Sequence, residues 1–297
     1  MKEDILHETF DGTFPFEPHF KTINGFRMHY VDEGKGEPIV CVHGEPMWGY
    51  LYRKFVPPLS KTNRVIVPDH MGFGKSDAPQ DKPYTLAQHI DNLTKLLLEL
   101  DLKDITLVVQ DWGGPIMFGF AVNNTERVKR LVIMNTGVGI YPEGSPTWVS
   151  NLEEQGRYDS FFDNLRETLP TLIKGGGVGK NTKVTDTMIR AYTAPFPDKE
   201  SCIGAKAFPR DIPVGMNHPS AAVMMGIRKK LDLLRNKPKI LIWGLQDPVF
   251  PRMFIDAWLK IYPGTEVHEL PEASHFLQED APEKIVKIIQ KFLKKNP

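Results

Sequence analysis

The stretch from Ile105 to Pro115, ITLVVQDWGGP, constrains the fold of this chain more than any other. It begins as a run of β-branched and apolar residues, which is typical of a strand buried on both faces in a parallel sheet. Gly113 and Gly114 end the run, and a helical pattern follows from Ile116 to Val122. A strand that turns so sharply into a helix places the residue at the turn, Asp111, outside the sheet and beside the positive end of the helix.

Asp111 has two interpretations at this position. The stretch matches the nucleophile elbow, normally written G-x-S-x-G, with Val109 in place of the first Gly and Asp in place of Ser. An aspartate could equally do no more than cap the following helix, since Asp is a preferred residue at helix N-termini. The stretch alone does not separate these interpretations, so the rest of the chain has to.

Strand and helix patterns alternate along most of the chain. The turn Asn24-Gly25, within residues 20–32, predicts a hairpin of two antiparallel strands. Thr85 is the predicted N-cap of the helix that follows it. The predicted strands are 38–44, 64–69, 105–110, 128–135, 239–244 and 265–270, and the predicted helices are 50–59, 86–100, 116–122, 253–262 and 282–293. This alternation predicts an α/β fold whose parallel sheet has right-handed crossovers.

The alternation stops after Thr136. From Val138 to His218 the strand patterns disappear, and helical fragments, proline-rich turns and the glycine-rich run 175–179 replace them. We therefore expect a core formed by residues 1–137 and 219–297, interrupted by a helical cap at residues 138–218.

Composition argues against several classes of function. The 297 residues carry 37 basic and 37 acidic side chains, so net charge gives no case for nucleic acid or an anionic membrane as a partner. No apolar run approaches the roughly 18 residues of a membrane span, and the first residues lack an apolar signal segment, so we expect a cytoplasmic protein.

Cys41 and Cys202 are too few for a disulfide framework. No His/Cys cluster has metal-ligand spacing, and the Gly-Lys pairs at 74–75 and 179–180 lack phosphate-loop spacing.

Polar residues follow four of the predicted strands. They are Glu45, Asp111 with Trp112, Asp247, and His275. Because the carboxyl ends of parallel strands meet at one edge of a sheet, we expect these residues to share a crevice. Each has an ordinary alternative, since Asp247 could shape a turn before a proline, His275 could be a packed histidine, and Glu45 could be a solvated charge. The chain order of acid, second acid and histidine is that of a hydrolase whose usual serine is replaced by Asp111.

These side chains predict catalysis through a covalent ester. An ordinary aspartate has a pKa of about 3.9, so Asp111 would be ionised at neutral pH and could displace a leaving group from an sp³ carbon. His275, oriented by Asp247, would take a proton from the water that hydrolyses the ester. The backbone amides of Glu45 and Trp112 would form the oxyanion hole. The indole N–H of Trp112 can only donate, which suits a departing anion.

Longer motifs resemble the haloalkane dehalogenases. These motifs are HGEPMWGYLYR at 43–53, GFGKSD at 72–77 and VVQDWGG at 108–114, with Asp247 and His275 after them. The likeness runs from about Phe26 to the C-terminus and is loosest in the predicted cap. It implies an α/β-hydrolase fold, with a mostly parallel eight-stranded sheet flanked by helices and a helical cap that closes the pocket.

The resemblance also implies an activity and its residues. Asp111 would be the nucleophile, Asp247 the orienting acid and His275 the base. The implied reaction converts a haloalkane to an alcohol and a halide without a cofactor. The implied partners are a small apolar halogenated substrate, water and halide ion.

Halide binding is less completely specified by the resemblance. Trp112 would be the first halide-binding residue. Many family members have Asn where this chain has Glu45, whereas others keep Glu and take the second donor from a Trp in the cap. Trp148 is the only Trp in the predicted cap and is therefore the candidate, although it could instead be a packing residue.

Relatives with the same machinery leave other activities open. Epoxide hydrolases need cap tyrosines to protonate the leaving oxygen, and Tyr141, Tyr158 and Tyr192 could serve. β-Lactone decarboxylases also resemble this pattern, and the stretch Arg210–Pro213 is similar to that group. Some proteins of this fold are ligand receptors without catalysis, which the complete set of catalytic residues disfavours.

Overall fold

A computed structural model describes residues 2–297, except for the side chains of residues 2, 3 and 148. An eight-stranded sheet forms its centre, in the order β1-β2-β4-β3-β5-β6-β7-β8. β2 is antiparallel to β1 and β4, and all other neighbouring strands are parallel. The strands are β1 (His19–Ile23), β2 (Phe26–Glu33), β3 (Pro38–Val42), β4 (Arg64–Pro68), β5 (Ile105–Gln110), β6 (Val128–Met134), β7 (Lys239–Gly244) and β8 (Glu266–Leu270). The predicted α/β fold with a mostly parallel sheet is confirmed.

Local sequence accounts for the strands that hold the site. Every residue of β3 and of β5 is buried, as expected for apolar runs covered on both faces. The predicted hairpin is confirmed, with Asn24 at φ 49° and Gly25 at φ 81° between the paired residues Ile23 and Phe26. Positive φ at both central residues is the geometry that Asn-Gly favours in two-residue hairpin turns.

Helices flank the sheet. Thr85 caps α2 as predicted, because its hydroxyl accepts a hydrogen bond from the Gln88 amide at 3.3 Å. The helices are α1 (Val56–Leu59), α2 (Leu86–Glu99), α3 (Gly113–Ala121), α4 (Trp148–Glu154), α5 (Tyr158–Phe162), α6 (Leu165–Leu172), α7 (Asp186–Thr193), α8 (Ile203–Arg210), α9 (Ala221–Lys230), α10 (Met253–Ile261), α11 (Leu277–Asp280) and α12 (Pro282–Lys295). No helix in the described part of the chain is both long enough and apolar enough to span a membrane.

The predicted helix over residues 50–59 is wrong. A short 3-10 helix, Gly49–Tyr52, and the single turn α1 stand in its place. Pro57 and Pro58 have no amide hydrogen, so they cannot donate hydrogen bonds within a helix that began at residue 50. They are tolerated in the first turn of α1, where those amides would have had no helical partner.

The inserted segment, residues 138–218, carries α4 to α8 between β6 and β7. Its two ends meet, because the Tyr141 amide donates to the carbonyl of Pro213 and the Gly215 amide donates to the carbonyl of Tyr141, both at 2.9 Å. The segment is also tied to the core, since the Trp48 indole donates to the carbonyl of Ala191 at 3.0 Å.

A buried charge network adds a second link between the inserted segment and the core. Glu279 of α11 pairs with Arg53 and, at 3.0 Å, with Lys54. It also accepts a hydrogen bond from the Tyr192 hydroxyl of α7. Burial alone would raise the pKa of Glu279, but Arg53, Lys54 and Tyr192 together hold it below its ordinary value.

Candidate active site

Asp111 lies at a strained turn between β5 and α3. Its φ of 51° is in the left-handed region, which is uncommon for a residue other than glycine. Its amide donates to the carbonyl of Asn135 at 3.0 Å, and its carbonyl accepts from the Gly114 amide at 2.9 Å. A Cβ on Gly113 would lie 2.2 Å from the Val42 carbonyl oxygen, so only glycine lets α3 begin this close to β3. The turn therefore projects the Asp111 carboxylate beyond the carboxyl end of β5.

Two backbone amides hold the carboxylate of Asp111. The Glu45 amide donates to its Oδ1 at 2.8 Å, and the Trp112 amide also hydrogen bonds to the carboxylate. A Cβ on Gly44 would lie 2.0 Å from Oδ1, so glycine at this position permits the approach. Burial raises the pKa of Asp111, whereas the charge of His275 and the two amides act to lower it. These amides are the pair that the sequence predicts for the oxyanion hole.

His275 lies between the two predicted acids. Its Nδ1 is 3.0 Å from Oδ2 of Asp247, and its Nε2 is 3.9 Å from Oδ2 of Asp111. Burial opposes the charged form of His275, but the charge and hydrogen bond of Asp247 and the charge of Asp111 raise its pKa above the ordinary value. A histidine that donates from Nδ1 to Asp247 keeps its lone pair on Nε2, on the side of Asp111, where it can accept a proton.

Asp247 is oriented through both of its oxygens. Oδ1 accepts from the amides of Val249 at 2.7 Å and Phe250 at 3.1 Å. Oδ2 accepts from Nδ2 of Asn135 at 2.7 Å as well as contacting His275. Burial alone would raise the pKa of Asp247, but the charge of His275 and these hydrogen bonds hold it below its ordinary value. Asp247 is thus a buried anion with donors on both oxygens, not only a residue that shapes a turn.

Sequence reasoning missed Asn135 and Gln110. Asn135 follows β6, and its side chain links Asp247 to the backbone of Gly244 through bonds of 2.8 and 3.1 Å. Nε2 of Gln110 lies 3.2 Å from both Nε2 and the carbonyl oxygen of His275. Each has a signal in the sequence, since a polar residue at the end of an otherwise apolar strand needs partners that only a site or a network supplies.

The indole of Trp112 is a free donor. The indole N–H groups of Trp48, Trp243 and Trp258 donate to backbone carbonyls, whereas that of Trp112 has no hydrogen-bond partner among the described residues. Trp112 is nevertheless buried, and the ring of Phe208 from α8 packs against it at 4.9 Å between centroids. The indole N–H of this buried residue, which follows Asp111 in the chain, is thus left to interact with a ligand.

Glu45 is buried, so its interpretation as a solvated loop charge is wrong. The residue is 8% exposed, and its Oε1 has no hydrogen-bond partner in the part of the chain that the structure describes. Burial and the charge of Asp111 raise the pKa of Glu45 well above its ordinary value.

The tyrosines of the inserted segment differ in their surroundings. Tyr192 is engaged with Glu279, and the Tyr158 hydroxyl donates to the Lys206 carbonyl. The Tyr141 hydroxyl has no hydrogen bond to the described residues. Burial is the main cause of its raised pKa, and the charges of Asp111 and Asp247 raise that pKa further. Trp148 begins α4, but its side chain lies outside the described residues, so its role in halide binding stays a prediction.

Comparisons with known proteins agree with this architecture. Residues 37–282 match the model of the α/β hydrolase fold family. A cis-3-alkyl-4-alkyloxetan-2-one decarboxylase of Shewanella oneidensis is 37% identical over 290 residues, covering 95% of this chain and 90% of the relative. A haloalkane dehalogenase of Psychrobacter cryohalolentis is 35% identical over 301 residues, covering 96% and 94%.

A solved structure extends the likeness to three dimensions. The haloalkane dehalogenase of Paraglaciecola agarilytica superposes with a TM-score of 0.81 at 30% identity, covering 97% of this chain and 96% of that one. The family match spans most of the chain, and the sheet that carries Asp111, Asp247 and His275 has the order given above. The chain therefore belongs to the α/β hydrolase fold family, among the haloalkane dehalogenases and their relatives.

Proposed function

We propose that this protein hydrolyses haloalkanes to an alcohol and a halide through an ester on Asp111. The observation that carries the proposal is the position of the Asp111 carboxylate, with Oδ1 held by the Glu45 amide and Oδ2 3.9 Å from Nε2 of His275. One oxygen is thus placed for oxyanion stabilisation and the other for bond formation next to a base. The relatives named as haloalkane dehalogenases support the same reaction.

In the first step, Oδ2 of Asp111 attacks the sp³ carbon that bears the halogen. The carbon–halogen bond breaks with its electron pair, and the halide departs beside the free indole N–H of Trp112. The product is an alkyl ester of Asp111. No proton moves in this step, so a donor is sufficient and a general acid is not required.

In the second step, His275 takes a proton from a water molecule, and the oxygen attacks the carbonyl carbon of the ester. The negative charge develops on Oδ1 of Asp111, which the amides of Glu45 and Trp112 already contact. Collapse of this intermediate releases the alkoxide, which receives the proton from His275 and leaves as the alcohol. Asp247 stabilises the imidazolium in between.

We further propose that residues 138–218 form the cap of this site and that residues 1–137 and 219–297 form the catalytic core. One contact and two charge interactions support this division. Phe208 packs on Trp112. The charge of Asp111 contributes to raising the pKa of Tyr141, and that of Glu45 contributes to raising the pKa of Tyr158. We propose a cytoplasmic location for the protein. Cys41 and Cys202 are free, buried thiols, which suits a reducing compartment.

Isotope labelling tests the ester directly. In a single turnover of 1-bromobutane in H₂¹⁸O, the water oxygen should enter the carboxylate of Asp111, and the butanol should stay unlabelled. Bromide release with label in the alcohol after one turnover would contradict the ester, because it would mean direct attack of water on carbon. Peptide mass spectrometry locates the label, and Asp111→Ala is the control that should neither gain label nor release bromide.

A second candidate is decarboxylation of a dialkyl oxetan-2-one, the reaction in the names of two relatives at 37% and 36% identity. Asp111 would attack the sp³ ring carbon that bears the ring oxygen, so that this carbon–oxygen bond breaks and a carboxylate is released within the same molecule. Loss of CO₂ from that carboxylate would form the carbon–carbon double bond and expel Asp111. No water is consumed, so His275 would not be needed as a base.

The water requirement separates the two candidates. A cis-3,4-dialkyl oxetan-2-one that gives alkene and CO₂ without ¹⁸O in Asp111, and that still reacts in the His275→Phe variant, would favour decarboxylation. Bromide release from 1-bromobutane, which stops after one equivalent in the same variant, would favour dehalogenation. Gas chromatography of the alkene and ion chromatography of the bromide measure both on one preparation.

A further inference from the structure

The glycine run, residues 175–179 of the inserted segment, has no part in the two chemical steps above. Glycine-rich runs are typical of flexible linkers. This one instead lies against the loop that carries His275, residues 271–276 between β8 and α11, which we call the base loop. Gly176 has a φ of 136°, a conformation that glycine adopts at no steric cost. Glycine at this position therefore serves a specific backbone path.

Two hydrogen bonds tie the glycine run to the base loop, one on each side of His275. The Ser274 hydroxyl donates to the carbonyl of Gly176 at 2.5 Å. The Phe276 amide donates to the carbonyl of Gly177 at 2.7 Å. Both chain neighbours of the base are thus held by the inserted segment, so the position of His275 depends on that of the glycine run.

Two of the glycines make this close approach possible. A Cβ on Gly177 would lie 2.6 Å from Cε2 of Phe276, and a Cβ on Gly179 would lie 2.1 Å from the carbonyl oxygen of Glu272. Both distances are far inside van der Waals contact, so a larger residue would push the base loop away. A Cβ on Gly175 would meet no atom of the described structure within 4 Å. The run thus contains its own internal control.

The carboxylate of Asp280, in α11, fastens the same two segments together. Its Oδ2 accepts a hydrogen bond from the Ser274 amide at 2.7 Å. Its Oδ1 accepts from the Gly179 amide at 2.9 Å and from the Thr182 hydroxyl. Hydrogen bonds to an ionised carboxylate are stronger than neutral ones, so Asp280 holds the base loop and the glycine run at a fixed separation.

The nucleophile is held differently. The amides of Glu45 and Trp112, both outside the inserted segment, contact the carboxylate of Asp111. The core holds the backbone of His275 through Nε2 of Gln110, 3.2 Å from its carbonyl oxygen. A displaced glycine run would therefore move the base and leave the nucleophile in place, which changes the 3.9 Å separation between Nε2 of His275 and Oδ2 of Asp111.

We infer that the glycine run of the inserted segment positions the catalytic base, with Ser274 and Asp280 as positioning residues. This inference rests on the proposed function, because it concerns the step in which His275 activates water. The run acts on ester hydrolysis and not on ester formation. A merely structural role would affect both steps or neither, so the two steps have to be measured separately.

The test compares Gly179→Ala with Gly175→Ala in a single turnover of saturating 1-bromobutane. Bromide release measures alkylation, and loss of the butyl ester by mass spectrometry measures hydrolysis. In Gly179→Ala, the distance from Cβ to the Glu272 carbonyl oxygen must grow from 2.1 Å to an ordinary contact of at least 3.4 Å. Ester hydrolysis should slow on the order of 100-fold, the scale for a misplacement of about 1 Å, while alkylation is unchanged. Gly175→Ala should match the wild type in both steps.

Ser274→Ala tests the same inference without added bulk, and it decides the matter if Gly179→Ala does not fold. It removes the hydroxyl that donates to Gly176. Ester hydrolysis should slow on the order of 10-fold, the scale for one lost hydrogen bond, again with unchanged alkylation. Ser274→Thr keeps the hydroxyl and should restore hydrolysis.

Two results would overturn the inference and leave the ester mechanism intact. The first is ester hydrolysis at the wild-type rate in both Gly179→Ala and Ser274→Ala. The second is equal slowing of alkylation and hydrolysis, since that would assign the glycine run a general structural role.

Proton NMR of the resting protein separates failure of this inference from failure of the proposed function. The Nδ1 proton that His275 shares with Asp247 should resonate far downfield, and His275→Phe identifies the signal by its loss. Gly179→Ala should shift or broaden this signal, whereas Gly175→Ala should not. If the signal responds in this way but neither 1-bromobutane nor a dialkyl oxetan-2-one forms an ester, the proposed function is refuted and the positioning of His275 stands. If the ester forms and is hydrolysed but the signal is identical in Gly179→Ala, the inference is wrong and the function is right.

Discussion

Replacing Asp247 with Asn should stop the reaction at the ester. Oδ1 of Asp247 accepts from the amides of Val249 and Phe250, so an Asn side chain keeps both bonds only if its carbonyl oxygen occupies that position. Its NH₂ group must then take the place of Oδ2, 3.0 Å from Nδ1 of His275. The NH₂ group would also face Nδ2 of Asn135, which donates to Oδ2 at 2.7 Å in the wild type, so that hydrogen bond is lost too. Two donors cannot face each other, so His275 is forced to carry its proton on Nε2 and to accept at Nδ1.

The wrong tautomer removes the base. A proton on Nε2 leaves His275 without a lone pair directed toward Asp111, where water must be activated. The same substitution in the Ser-His-Asp proteases lowers kcat by about 10⁴-fold, or about 5.4 kcal/mol of barrier. We expect a loss of about this size in ester hydrolysis. Alkylation should change far less, because it needs only the ionised Asp111.

A rapid-mixing experiment separates the two steps. The Asp247→Asn variant should release about one equivalent of bromide per protein molecule and then stall, with the butyl ester visible by mass spectrometry. Asp256→Asn, an exposed aspartate on α10, is the control for the loss of one charge and should turn over normally. Sustained turnover by Asp247→Asn, or loss of the initial bromide release, would show that the tautomer argument is wrong.

Three further predictions follow from contacts in and around the site. Trp112→Phe removes the free indole donor and should raise the alkylation barrier by about 2–4 kcal/mol, measured as single-turnover bromide release. In the wild type, the N–H group of Gln110 lies 3.2 Å from Nε2 of His275 and favours the neutral imidazole. Gln110→Leu removes that N–H group. The pKa of His275 should rise, and the acid limb of ester hydrolysis should move to higher pH; an unmoved limb would contradict this. Glu279→Gln leaves the buried Arg53 without its counter-charge and should cost about 3–5 kcal/mol of unfolding free energy. Because the pKa of Glu279 lies below its ordinary value of 4.5, this stabilisation is lost as pH falls, so the Tm difference from the wild type should shrink below that pH.

The strands could be predicted because their signals are local. The apolar runs of β3 and β5, and the Asn24-Gly25 turn, specify strand and hairpin without reference to the rest of the chain. The error at residues 50–59 arose where apolar periodicity and proline placement conflict, and there the missing amides of Pro57 and Pro58 decided the outcome.

The site was predictable only as far as strand ends specify it. Parallel strands bring Asp111, Asp247 and His275 to one edge, and this needs no knowledge of side-chain packing. The contacts of Asn135 and Gln110 depend on rotamers and on the neighbouring strand, which the sequence does not contain. The burial of Glu45 was hidden for a related reason, since burial depends on tertiary packing that no local pattern specifies.

Tyr141 and Val214 pair through their backbones where the inserted segment leaves and rejoins the core, and we call this pairing the joint. It bears on how such proteins diversify. The chain leaves the sheet after β6 and returns before β7, and the backbone bonds at this joint close the inserted segment on itself. The cost of closing a loop grows only slowly with its length, so segments of quite different size can be exchanged here without disturbing the pairing of β6 with β7. Exchange of the segment at this joint would leave Asp111, Asp247 and His275 on the core while changing the side chains packed against Trp112, such as Phe208.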